Sequence, residues 1–315
     1  MTRVAFVTGA TGVVGRPLVR LLLARGYTVR TLARDVQDPL LPDGVEPVPG
    51  DLTTPAALDR GAGGADVIFH LAALLHINNP DAELTARYEA VNVEGTAHLL
   101  EAARAHATAR FVFLSTINVY GSGHGAAPFT ESELPRPQTP YARTKAAAER
   151  LVLANSGGTV LRLAAVYGPG MRGNYRNLAK LLARGLPIMP GDGRNRRTLV
   201  HRDDAASAAL LAAEHPAAKG GVFNVTDGAI HRFDEIARAI QAAAGRREGL
   251  FYLPISSIRR GLGFVPGLSG VHVLLNKLTE DMAVDGNRIT EELGFRARYD
   301  LRSGWRHTIS CLTHD

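Results

Sequence analysis

The chain has 315 residues, 45% of them hydrophobic, a length that suits about two domains and a composition that suits a folded core. Its lone Cys311 excludes an intramolecular disulfide and a thiol metal cluster, and fits a reducing cytoplasm. The net charge of +6 arises from 36 Lys and Arg scattered without a basic stripe or interleaved aromatics, so an acidic small molecule is the expected partner and nucleic acid is not.

No apolar run reaches the roughly 18 residues of a membrane span, and Met1 to Thr8 lack the long apolar segment and cleavage site of a signal peptide. A soluble cytoplasmic protein is expected. Arg3 to Thr8 reads as a buried strand, and Gly9-Ala-Thr-Gly12-Val-Val-Gly15 leads from it into an amphipathic helix carrying Leu18, Val19, Leu22 and Leu23. Glycines at this spacing allow a tight turn and close backbone approach to a pyrophosphate, and the helix start offers unpaired N–H groups. A ligand-free glycine turn is the plainer alternative.

A second strand, Thr28 to Leu32, ends at Ala33-Arg34, where an acid for the ribose 2′-hydroxyl of NAD is absent. Arg34 suits the 2′-phosphate of NADP, Asp35 keeps NAD open, and a solvated Arg34 needs no ligand at all. Val45 to Val48 and Asp66 to His70 are the third and fourth strands. Ligands of open α/β sheets bind at the carboxyl ends of strands, so Asp51 either meets adenine or caps the helix starting near Pro55. Leu71, Ala72 and Ala73 would form an apolar wall, with His70 packed in the core.

A long helix is predicted from Ala82 to Ala105, interrupted on its apolar face by Asn92, which must find partners: a bridge to the backbone of a neighbouring strand, the favoured reading, or a water near the active site. Phe111 to Leu114 is the fifth strand, running into the hydroxyls of Ser115 and Thr116. Thr139 can cap a helix that Pro140 opens, placing Tyr141 and Lys145 four residues apart on one face. A phenol titrates near ~10, and bringing it toward neutrality requires roughly 4 kcal/mol of stabilisation, which an adjacent ammonium and an oxidised nicotinamide together could supply. A surface tyrosine packed over a lysine stem has the same spacing.

Thr159 to Leu163 is the sixth strand, and Val166-Tyr-Gly-Pro-Gly170 is expected to break regular structure and begin the substrate side. Arg194, Arg196 and Arg197 stand in a predicted loop, either as forks for a diphosphate or as a solvated basic loop. Gly221 to Val225 reads as another core strand and Phe233 to Ala244 as a helix. Ile255 to Leu278 suits a lid, a dimer surface, a membrane-facing patch or, the favoured reading, packing within a substrate domain, and Asp285 reads as the cap of a final helix to Leu293 that Gly294 ends.

In order, TGATGVVG, GDL, HLAA, VNVEGT, LSTINVYG, PYARTK, LRLAAVYGPG, RRTLVHRDD and FNVTDG resemble the extended short-chain dehydrogenases/reductases over essentially the whole chain. Within them the chain is similar to the NAD-dependent epimerase/dehydratase group acting on nucleotide sugars. VYGPGMRGNY, RNRRTLV and LNKLTEDMAVD resemble UDP-N-acetylhexosamine 4-epimerases and 4-ketoreductases. The resemblance implies a Rossmann-type α/β fold, a doubly wound parallel sheet with a smaller mixed α/β C-terminal substrate domain. Residues 1–165 plus 198–226 would bind NAD(P), and 166–197 plus 227–315 the substrate.

It further implies Tyr141 as acid/base, Lys145 as holder of the nicotinamide ribose, and Thr116 as the substrate-orienting hydroxyl, with Ser115 as its neighbouring alternative. Gly9, Thr11, Gly12, Val13, Val14, Gly15, Arg34, Asp51, Leu52, Leu71, Ala72, Ala73 and Val166 would surround NAD(P) together with Tyr141 and Lys145, Arg34 favouring NADP. Thr116, Asn118, Tyr141, Asn174 and Arg197 would hold a UDP-hexose-type substrate; Ala165 departs from the Asn common in UDP-sugar enzymes. No metal is implied, and a homodimer through the long helices is. A 4-epimerase and an NADPH-dependent 4-ketosugar reductase both fit; the wider group favours the first and Arg34 the second. Behind them stand a 4,6-dehydratase, whose Asp-Glu pair Thr116-Ile-Asn118 lacks, a hydroxysteroid- or flavonoid-type reductase, and a non-catalytic NADP-binding protein.

Overall fold

The computed structural model describes residues 2–75, 82–122, 127–155, 157–254 and 280–312. In chain order the strands are β1 (Val4–Thr8), β2 (Thr28–Ala33), β3 (Glu46–Pro49), β4 (Val67–His70), β5 (Arg110–Thr116), β6 (Gly158–Leu163), β7 (Ala165–Tyr167), β8 (Ile188–Pro190), β9 (Arg196–Arg197), β10 (Leu199–His201), β11 (Val222–Val225), β12 (His231–Arg232) and β13 (Phe251–Leu253). The helices are α1 (Gly15–Ala24), α2 (Pro55–Ala62), α3 (Ala82–Glu89), α4 (Gly95–Ala105), α5 (Pro140–Leu153), α6 (Asn174–Ala183), α7 (Arg202–Glu214), α8 (Phe233–Ala243), α9 (Asn287–Leu293) and α10 (Leu301–Leu312).

Seven strands form one parallel sheet in the order β11-β6-β5-β4-β1-β2-β3. β4 and β6 are buried at every residue, as parallel strands covered on both faces must be. On one face Leu18, Val19 and Leu22 of α1 and Ala205, Ala208 and Ala209 of α7 pack on Val7, Val112 and Leu161. On the other, Leu58 of α2, Leu99 of α4, and Ala148 and Val152 of α5 pack on Phe6, Ile68 and Phe111. Strand order reverses between β1 and β4, and a sheet of this kind opens its ligand crevice at that point.

The predicted long helix runs from α3 to α4 through one π turn, Ala90–Glu94. A separate core gathers Tyr167, Met171, Leu182, Met189, Phe233, Ile236, Ile240, Trp305 and Ile309 from the later part of the chain.

Three expectations are corrected. Val166 does not begin irregular chain: Ala165–Tyr167 pairs in parallel with β10, and the break comes at Gly168, whose φ is +133°. Arg196 and Arg197 lie on a strand, not in a loop, because β9 pairs antiparallel with β12. The helix ending at Leu293, capped at Gly294 with φ +72°, is followed by α10, which Trp305 and Ile309 anchor in the separate core. The predicted packing of 255–278 lies outside the described residues. Among the described residues no helix is long and apolar enough to cross a membrane.

Candidate active site

The crevice floor is made by the ends of β1 and β4. Leu71 N donates to Thr8 O at 3.1 Å and Ala72 N to Thr8 Oγ1 at 3.2 Å, drawing the chain after β4 against the glycine turn. Gly9 has φ +79°, and a Cβ there would lie 2.8 Å from Ala72 N; one on Gly15 would lie 2.1 Å from Gly9 O. Only glycines allow this approach. The turn from Thr11 through Val13 and Val14 enters α1 with no side-chain cap and no acid in the first turn, so its amides present positive potential that no side chain of the helix start opposes. This cradle fits the pyrophosphate of a dinucleotide.

Arg34 is exposed at the end of β2. Asp51 is tied into the turn before α2 and does not cap it, the N-cap being Thr54: Oδ1 accepts from Thr53 N at 2.9 Å, Thr53 Oγ1 at 2.6 Å and Thr54 Oγ1 at 3.1 Å. The Thr53 hydroxyl bond first, then the other bonds and the Arg34 charge, outweigh burial and hold the carboxyl below its ordinary range. Leu52 is buried under Gly95, where a Cβ would meet its own at 2.8 Å.

A column of buried polar groups rises from this floor. His70 lies between Thr8 Oγ1 at 2.8 Å and Thr96 Oγ1 at 2.9 Å. Thr96 Oγ1 donates to Asn92 O at 2.6 Å, so it accepts from His70 Nε2–H, and His70 Nδ1 accepts from the Thr8 hydroxyl. Burial, and then the Lys145 charge, push the imidazole down to about 3, keeping it neutral. Asn92 accepts from Leu74 N at 2.7 Å and donates to Leu74 O at 3.2 Å and Thr144 Oγ1 at 3.1 Å. Thr144 Oγ1 donates to Tyr141 O at 2.9 Å, so the column ends on the turn that carries Tyr141. His70 and Asn92 are thus structural, as the sequence suggests.

The start of α5 is built as expected, with Thr139 Oγ1 accepting from Ala142 N at 3.2 Å and Pro140 opening the helix. Lys145 is buried; its Nζ donates to Leu114 O at 2.7 Å and lies 3.8 Å from the centre of the Phe113 ring. Burial brings it down to about 7, opposed by the Glu149 charge. Burial, and then Tyr88, push Tyr141 up to about 12, so Lys145 by itself does not hold the phenol down. The physical reason is direction, since the ammonium is turned to the β5 carbonyl while the ring beside the phenol is Tyr88, 6.3 Å between centroids.

Thr116 and Ser115 part at the end of β5, where successive side chains face opposite ways. Ser115 is buried and donates to Glu149 Oε1 at 2.5 Å. Thr116 is half-buried, its hydroxyl accepting from Asn118 N at 3.2 Å to cap the 3-10 turn Ile117–Tyr120, on which Asn118 is exposed. Behind Ser115, Glu149 meets Arg162 of β6 through Nη2 at 2.8 Å and Nε at 3.1 Å. Arg162 Nη1 donates to Tyr120 Oη at 2.9 Å, and that hydroxyl donates to Asn224 Oδ1 at 2.8 Å.

On the substrate side the three arginines are separated. Arg196 is held by Asp281, with Nη2 to Oδ2 at 3.0 Å. Arg194 lines an open groove with Asp192, Arg232, Asp234 and Tyr252. Arg197 is half-buried on β9, where its charge acts on the phenol of Tyr175, which burial raises. Val166 is half-buried on β7, and Asn174 is exposed at the start of α6. Sequence reasoning missed Tyr88, Glu149 and Arg162. The first two had a signal in helical spacing: Tyr88 is four residues before Asn92, and Glu149 four after Lys145.

A sequence model described as the NAD dependent epimerase/dehydratase family matches residues 5–226. The chain is 28% identical to a UDP-glucose 4-epimerase of Vibrio cholerae, covering 99% of this chain and 96% of that protein. It is 31% identical to a ceramide reductase of Caulobacter vibrioides, covering 97% and 93%. Among solved structures, MoeE5 in complex with UDP-glucose and NAD superposes with a TM-score of 0.79 at 29% identity, covering 98% of each chain.

Proposed function

The chain belongs to the NAD-dependent epimerase/dehydratase family, a family of NAD(P)-dependent enzymes, and on that premise we propose that it epimerises a nucleotide sugar, a UDP-hexose or UDP-N-acetylhexosamine, at C4. The observation that most supports the reading is the seating of α5: its first turn is tied through Thr144 and Asn92 to the chain after β4, and Lys145 is bonded to Leu114 of β5. α5, which carries Tyr141 and Lys145, is thus fastened to the chain leaving β4 and to β5, which ends at Thr116, and β1 leads into the glycine turn in the same parallel sheet. Overall similarity to proteins whose names and complexes include UDP-glucose supports the substrate class.

In this reading Tyr141 moves the proton of the C4 oxygen and Thr116 orients that oxygen. The glycine turn from Gly9 to Gly15 would hold NAD(P), which would supply the acceptor and donor for the C4 hydride, with inversion requiring its return to the opposite face of the sugar. Lys145, one turn along the helix from Tyr141, donates to the nicotinamide ribose, and a phenol raised to about 12 needs further positive charge to act as a base, which an oxidised nicotinamide would supply. Arg197 takes the diphosphate as a planar fork, with Asn174 and Asn118 beside the sugar nucleotide and Val166 beside the cofactor. Residues 1–165 plus 198–226 serve the cofactor and 166–197 plus 227–315 the substrate.

A second reading, NADPH-dependent reduction of a nucleotide 4-ketosugar, draws on two observations. Arg34 is exposed at the end of β2, placed for a 2′-phosphate, and a phenol raised to about 12 is an acid at neutral pH, as ketone reduction requires. The test is incubation of the purified protein with UDP-glucose and with UDP-N-acetylglucosamine, following the C4 epimer by proton NMR, alongside identification of any retained cofactor. Epimer formation with NAD retained supports the first reading, and NADPH oxidation dependent on an added ketosugar the second. Tyr141→Phe should lower either rate by about 10²–10⁴-fold; equal turnover in that variant overturns the assignment of Tyr141.

A further inference from the structure

The face of α5 that carries Tyr141 and Lys145 continues one turn further to Glu149, at i, i+4 and i+8. Glu149 is 2% exposed and Arg162 4%, an ion pair buried between α5 and β6. Such a pair contributes little net stability over apolar residues of the same volume, so its presence asks for another reason. Three elements meet in it: Ser115 from the end of β5, Arg162 from β6 and the helix itself. Through Arg162 it reaches Tyr120, which follows Thr116 on the 3-10 turn, and through Tyr120 it reaches Asn224 on β11.

We propose that Glu149 is a positioning residue of the active site, whose buried carboxylate locks α5 onto the ends of β5 and β6 and supplies the negative charge that balances the Lys145 ammonium. The proposal rests on the reading of Tyr141 and Lys145 given above. Among the described residues, these groups stand around Lys145. β5 offers the Leu114 carbonyl and the Phe113 ring, and β4 the neutral His70. On α5 itself stand Tyr141, with Tyr88 of α3 beside it, and Glu149. Glu149 is the one of these groups that acts on Lys145 as an anion; burial favours the uncharged amine and Glu149 opposes it. Arg162 pairs with the same carboxylate, Nη2 to Oε2 at 2.8 Å. A lysine that must present an ammonium to a ribose at neutral pH depends on that opposition.

Lys145 shares the chain with three other lysines, Lys180, Lys219 and Lys277, so its titration can be followed by NMR on protein labelled with 13C at the lysine ε-carbon. The resonance is assigned as the one missing from Lys145→Arg. Glu149→Gln should shift the Lys145 midpoint down by about one pH unit or more, and Glu149→Asp should return it most of the way. Glu149→Gln strands Arg162, and if that variant does not fold, the double variant Glu149→Gln/Arg162→Met removes both buried charges and should show the same downward shift. A Lys145 midpoint unchanged in the folded Gln variant or in the double variant overturns the proposal, as does failure of Asp to restore it. The titration needs neither substrate nor turnover. A wrong assignment of the reaction, revealed by Tyr141→Phe turning over normally, therefore leaves it intact, whereas an unmoved midpoint alongside an inactive Tyr141→Phe sinks the Glu149 proposal alone.

Discussion

The crevice floor and the substrate side are built to different rules. In the floor, the ends of β1, β4 and β5 are joined by side chains whose hydrogen bonds close on one another: Thr8, His70, Thr96, Asn92 and Thr144 form one run, and Ser115, Glu149, Arg162 and Tyr120 another. On the substrate side, strands of two or three residues pair in twos, β7 with β10, β8 with β13 and β9 with β12. Its ion pair Arg196–Asp281 is about one-third exposed, and Phe251, Tyr252 and Leu253 face outward. A floor in which each polar group depends on the next resists substitution, since removing one leaves another buried and unsatisfied. Short ribbons with half-solvated partners lose little when one residue changes, which suits a surface that sets specificity.

The largest expected contrast is between the two ion pairs. Arg162→Met leaves the Glu149 carboxylate buried without its partner and should lower stability by about 3–5 kcal/mol, whereas Arg196→Met should lower it by no more than about 1 kcal/mol. Urea unfolding measures both, and equal losses would break the comparison. The second contrast is in pH. His70 is held near 3 in the folded chain against 6.5 when free, so the unfolded chain binds the extra proton between those values. Its contribution is whole above pH 6.5 and is lost as pH falls toward 3, at about 1.4 kcal/mol per pH unit in mid-window. Thermal unfolding of His70→Gln, which gains no charge there, should show a correspondingly shallower acid slope.

A third contrast concerns glycines of like φ. Gly9→Ala meets both the positive φ of +79° and backbone 2.8 Å away, and should cost about 1–3 kcal/mol together with cofactor affinity measured by nucleotide fluorescence. Gly245→Ala, with φ +65° and open space around it, should cost about 1 kcal/mol and leave cofactor affinity unchanged. The smallest effect on the fold should come from Arg197→Ala, with stability within about 0.5 kcal/mol of the parent. Under the proposed function it raises the KM for a UDP-sugar about 10-fold, roughly 1.4 kcal/mol of binding. Arg194→Ala, in the open groove, should leave KM within about twofold.

The same division governs what could be read from residues alone. Strands of the main sheet are legible because burial on both faces leaves apolar runs such as Val67 to Phe69, and α5 is legible from Thr139 and Pro140. β9 and β12 are not, since two residues have no period and pairing depends on partners 35 positions apart, Arg197 with His231 at 34 and Arg196 with Arg232 at 36. α10 was hidden by its own polarity, with Arg302, Arg306 and His307 around the buried Trp305. The sequence offers Ser115 and Thr116 as equals; the structure separates them by committing Ser115 to Glu149. That commitment was invisible because an arginine inside a strand, as Arg162 is, reads as solvent-facing until its carboxylate is found on a helix 13 residues away. The direction of the Lys145 ammonium was equally out of reach, for helical spacing gives a shared face and says nothing about the strand carbonyl beneath it.

The π turn between α3 and α4 acts as a phase shifter. An α-helix turns about 100° per residue, and a wider turn accommodates an extra residue while the axis runs on. Upstream, Tyr88 is set beside Tyr141; downstream, Leu99, Leu100 and Ala103 are set against the sheet. Two faces that a uniform helix would hold at one fixed angle are here set independently. Deleting a single residue from Ala90–Glu94 is therefore a rotation more than a shortening: with the downstream face anchored by its leucines, it would swing Tyr88 away from the phenol by about a quarter of a turn.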